Sequence, residues 1–105
     1  MATRKFTIEE ESFEVRALNT RALVLHEKSL LKQNIEKGSN EAGVELCRVL
    51  LLSWERDGKD LVKTLDERKV REELAEYDSL MVKIIQEAKA LGNEIAKRYE
   101  TDAKN

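Results

Sequence analysis

The chain of 105 residues is long enough to enclose one hydrophobic core and too short for two domains. Its 41% hydrophobic and 38% charged residues, with no proline, exclude a disordered chain and have the make-up of helices. A net charge of −2 without a basic cluster argues against a nucleic-acid partner, and no apolar run exceeds four residues, as at 49–52, against the roughly 20 of a membrane span.

The pattern predicts an all-α fold: an antiparallel three-helix bundle with long, coiled-coil-like helices, residues 1–105 forming one domain. Helix one is predicted over about 7–37. Thr7 and Glu10 have the spacing of a capping box, and Glu9, Glu10 and Glu11 fall in a first turn, where the helix dipole favours acids. Gly38 is the expected left-handed residue at its end, and Ser39 or Asn40 caps the next helix. Helix two is predicted over about 40–63, with Val44, Cys47, Leu51, Trp54, Leu61, Val62 and Leu65 as its stripe and Asp57-Gly58 as a break signal within it. From Val70 a new stripe begins, rotated by roughly 140°: Leu74, Tyr77, Met81, Ile84, Ile85, Ala88, Leu91, Ile95 and Tyr99. Helix three is therefore predicted over about 65–101, opened by a second capping box at Thr64 and Glu67. The second turn falls between Asp57 and Glu67, with room for a short extra helix.

The segment "NIEKGS" at 34–39, with "AGVELC" and "LAEYDSL" beyond it, resembles the histidine phosphotransfer motif, which runs roughly His-x-x-Lys-Gly-Ser within a helical bundle. The resemblance implies a signalling bundle that meets a receiver domain. Asn34 stands where the phosphorylated histidine would, and an amide cannot carry the phosphate, so what is implied is a pseudo-phosphotransfer protein. By its local chemistry alone, the segment is a corner between two helices.

Other reactive residues have plainer readings. His26 shares a face with Ile8, Val15, Ala22 and Leu25 and lacks partners at metal-ligand spacing, which predicts a boundary histidine and no metal. Cys47 falls in the apolar stripe, and a catalytic thiolate needs exposure and positive neighbours. A single cysteine and an N-terminus without an apolar signal core point to the reducing cytoplasm. Trp54 is expected to close one end of the core, partly exposed so that its indole N–H finds a partner. With no phosphate loop, zinc spacing or nucleophile elbow, the chain is read as no enzyme, without cofactor or small-molecule substrate.

One feature exceeds what a bundle needs. Along "RALVLHEKSLL" and "VELCRVLLL" aliphatic residues point in almost every direction around the helix axis. Leu23 and Leu30 on helix one, and Leu46, Val49 and Leu52 on helix two, fall off the main stripes and are predicted to meet as one collar, with Trp54 beside it. The expected function is a non-enzymatic interaction module that uses this collar to bind a protein partner or to form a homo-oligomer. A redesigned helical scaffold with no native activity is the alternative, since paired capping boxes, absent proline and opposite-charge pairs follow design rules.

Overall fold

The computed structural model describes residues 2–33 and 39–104. Among them the order is β1 (Thr3–Ile8), β2 (Glu11–Arg16), α1 (Thr20–Gln33), α2 (Ser39–Leu50), β3 (Leu51–Arg56), β4 (Lys59–Asp60), α3 (Leu61–Thr64), α4 (Glu67–Ala75) and α5 (Asp78–Lys104). The strands form an antiparallel sheet in the order β1-β2-β3-β4. The fold is α+β, which overturns the all-α three-helix bundle, its coiled-coil packing and all three long helices. It is likewise not the bundle that the phosphotransfer resemblance implies; of that motif, residues 34–38 lie outside the described residues, as does the predicted helix end at Gly38.

The first correction is at the N-terminus. Phe6 and Phe13, and Ile8 and Val15, are seven residues apart, which satisfies a helical stripe. A hairpin satisfies it too. Phe6 pairs directly with Phe13 across the ladder, their rings stacked 5.1 Å apart, and alternation along β2 sends Phe13 and Val15 to the buried face. Glu9 and Glu10 form the two-residue turn between the strands, with Glu9 at φ 56, so Thr7 and Glu10 are not a capping box.

The second correction has a similar cause. Leu51 and Trp54 are both buried at a spacing of three, which imitates a helix. In the sheet Trp54 pairs with Phe13, Ser53 with Glu14, and Leu51 with Val15, so the ladder slips by one residue at Leu52. This bulge, with two residues opposing one, turns Leu51 back toward the core. Asp57-Gly58 is a hairpin turn with both residues at positive φ, 52 and 78, the conformation that an Asp-Gly pair adopts most readily. Helix two thus ends at Leu50, and the predicted helix–helix turn between Asp57 and Glu67 is replaced by this turn, β4 and the four-residue α3. Asp60 holds the region together: it accepts from Ser53 Oγ (2.8 Å), Trp54 N (3.2 Å) and Val62 N (3.0 Å), capping α3.

Helix three is two helices, parted at Glu76 and Tyr77. Asp66, not Thr64, caps α4 through the Lys69 amide (2.9 Å). Val70 and Leu74 on α4 and Leu80, Met81, Ile84 and Ala88 on α5 join Phe13, Val15, Leu51 and Trp54 in one core. α5 lies against β1 and β2 and also meets α2 and α4. Gly92 permits its close approach, because a Cβ there would stand 2.6 Å from Leu18 O; one turn away Leu18 N donates to Ala88 O at 2.9 Å. The other face of the sheet is lined by Thr3, Lys5, Thr7, Ser12, Glu14, Arg16, Ser53 and Glu55, the polar side of a half-covered antiparallel sheet.

Candidate interaction surface

α1 begins where Asn19 caps it: Asn19 Oδ1 accepts from the Ala22 amide at 3.1 Å and Asn19 O from Leu23 N at 3.0 Å. Ala22 is the residue that α1 buries among those whose side chains are described, and α1 packs mainly against α2. At 100° per residue Val24 points nearly opposite Ala22, with Leu23 and Leu25 to either side of it. All three are in water: Leu23 is 46% exposed, Val24 42% and Leu25 38%. One turn before and after stand Thr20, Arg21, Glu27 and Lys28, all exposed. The result is an aliphatic arc with a polar border, the anatomy of a small contact patch.

The predicted collar does not assemble as a whole. Leu23 is on the arc. Leu46 and Val49 are half-buried and packed on the core, Leu52 is half-buried at the bulge, and the Leu30 side chain lies outside the described residues. Trp54 is wholly buried. Its indole N–H donates to Glu11 Oε1 (2.8 Å), which also accepts from Arg56 Nε (2.6 Å), and the Arg56 guanidinium sits 5.3 Å above the ring. The expected partial exposure is unnecessary because a strand carboxylate satisfies the indole. Burial works to raise the Glu11 carboxyl, but the hydrogen bonds from Arg56 and Trp54 and the Arg56 charge outweigh it and hold it below the ordinary value.

Val24 and Leu25 lie outside the predicted collar, because their spacing places them on the apolar stripes of the expected helix. Leu25 and Val49 line one open groove of about 320 Å³ with Arg16, Arg48, Glu67 and Arg71. Its charged wall is a network that ties α2 to α4. Arg71 grips the buried Glu45 with two bonds, of 2.7 and 3.3 Å, and reaches Glu67 at 3.1 Å; Arg48 Nε meets Glu67 at 2.8 Å. Such a fork-to-fork pair is specific in geometry, and removing one member strands a buried charge.

The reactive side chains are arranged structurally. Cys47 is buried, its Sγ 3.5 Å from Met81 O, and burial pushes its thiol up to about 12, so it carries no thiolate near neutrality. His26 is half-buried, with Nδ1 enclosed and without a partner among the described residues. The two hairpin turns bring Glu9, Glu10, Glu11, Asp57 and Arg56 around an open hollow of about 580 Å³. Among the described residues no group of three His, Cys, Asp or Glu side chains is arranged to hold a metal, and no helix is long and apolar enough to cross a membrane. No family model, curated protein or solved structure matches the chain.

Proposed function

We propose that the protein is a non-enzymatic interaction module that pairs with a second copy of itself through α1. The observation that carries this reading is the aliphatic arc of Leu23, Val24 and Leu25, exposed on a helix held from its opposite side by Ala22. The partner is a second copy because the arc is symmetric about Val24. Two α1 helices laid antiparallel about a two-fold axis at Val24 set Val24 against Val24, with Leu23 and Leu25 of each copy flanking the seam on either side. A two-fold interface requires this self-complementarity. The small net charge opposes such pairing little. A cytoplasmic setting goes with this reading, supported by a lone cysteine kept as a buried thiol.

Sedimentation equilibrium from micromolar to near-millimolar protein tests it. The expected result is a monomer–dimer equilibrium that Val24→Glu returns to monomer with its circular dichroism intact, while Val82→Glu, at the exposed valine of α5, leaves the dimer in place. A monomer at every concentration, or equal dimerisation of both variants, would overturn the reading.

A further inference from the structure

Where β2 ends and α1 begins, a small cavity of about 160 Å³ is lined by Ala2, Arg16, Ala17, Asn19, Arg21 and Ile95. Two arginines border it and no carboxylate does. Arg16 Nε is buried without a hydrogen-bond partner, and neither Arg16 nor Arg21 has an ion-pair partner among the described residues. Two acids near Arg16 are already engaged. Glu14, on the same face of β2, accepts from Thr3 Oγ1 at 2.8 Å, and Glu67 is held by Arg48 and Arg71. Arg21 also stands in the first turn of α1, which has no acid and where the helix dipole is itself positive. Burial first, then the charges of Arg21 and Arg48, push the Arg16 pKa down. A buried Nε–H without a partner on Arg16, the exposed guanidinium of Arg21 and a helix start of the same sign converge on this corner, and one anion would answer all of them.

We propose that this cavity binds a small tetrahedral oxyanion, inorganic phosphate or the phosphoryl end of a small monoester, through the Arg16 and Arg21 guanidinium groups. Asn19 stands at its rim with Oδ1 committed to the Ala22 amide, which leaves its Nδ2 to donate. The volume is below the roughly 300–1,000 Å³ of pockets for drug-sized ligands, which rules out a whole nucleotide within it. The site does not depend on the proposed self-association.

The test is thermal unfolding at constant ionic strength, with chloride replaced by inorganic phosphate or by O-phosphoserine. Phosphate should raise the Tm by several degrees over chloride, because a ligand of the folded state stabilises it by mass action. Arg16→Gln should abolish the rise, whereas Lys59→Gln, with the same change of charge on β4, should keep it. An equal rise with both probes identifies the phosphoryl group itself as the ligand; a rise with O-phosphoserine alone identifies the monoester. Should Arg16→Gln fail to fold, the Nε–H signals of Arg16 and Arg21 in the unaltered protein must shift saturably on titration with phosphate. No rise over chloride with either probe, or a rise that survives Arg16→Gln, would overturn the proposal.

Discussion

The β3 strand and α1 are both rich in apolar residues, and they use them oppositely. Leu51 and Trp54 on β3 are enclosed, with the sheet partner Phe13 on one side and the core side chains of α4 and α5 around them. α1 encloses Ala22 and leaves three larger side chains in water. The difference is one of neighbours rather than of hydrophobicity. β3 lies between β2 and β4 in a sheet roofed by helices, whereas α1 rests mainly on α2. Apolar density along a sequence measures the capacity to be buried; burial itself requires a second surface.

Three substitutions sharpen that contrast. Trp54→Ala should cost about 3–5 kcal/mol, since it opens a cavity beside Phe13 and strips the indole bond from Glu11; urea unfolding followed by far-ultraviolet circular dichroism would measure it. Asp60→Ala removes three accepted hydrogen bonds at a half-buried site and should cost about 1–2 kcal/mol. Asp60 adds a dependence on pH. Burial raises its pKa, but the bonds from Ser53, Trp54 N and Val62 N prevail and lower it below its ordinary 3.8. A carboxyl with a depressed folded value lends stability above its unfolded pKa and loses it as pH falls through the folded one. The acid limb of the stability curve below pH 3.8 should therefore flatten in Asp60→Ala. At the other end of the scale, Leu23→Ala should change monomer stability by no more than about 0.5 kcal/mol. A loss as large as that of Trp54→Ala would mean that the arc of α1 belongs to the core.

Part of the core was legible in the pattern and part of it was legible for the wrong reason. The residues expected to share one apolar stripe on α4 and α5, Val70, Leu74, Met81, Ile84 and Ala88, do share the core, because helical spacing was real there. Leu51 and Trp54 also reached the core, but the bulge at Leu52 supplied the spacing that a helix would have. The hairpin of β1 and β2 was open to sequence reasoning: Phe6 and Ile8, then Phe13, Val15 and Ala17, alternate strictly, and the seven-residue offset between the runs concealed it. Asp57-Gly58 was visible as a break, and flanking strand residues could have marked it as a hairpin turn. Of the interaction surface, Leu23 was legible as an off-stripe leucine, while Val24 and Leu25 looked like ordinary stripe members.

By itself the sequence determined the helical character of α4 and α5, the burial of Cys47, and an excess of aliphatic residues around α1. These follow from local spacing and composition, which act within a few residues along the chain. Only the tertiary structure decided that residues 3–16 and 51–60 pair as a sheet, that Trp54 is satisfied by a carboxylate 43 positions away, and that Arg16 meets Arg21 at a cavity with no acid. Those outcomes depend on which distant strand or helix supplies the partner, and hydrophobic periodicity carries no record of that choice.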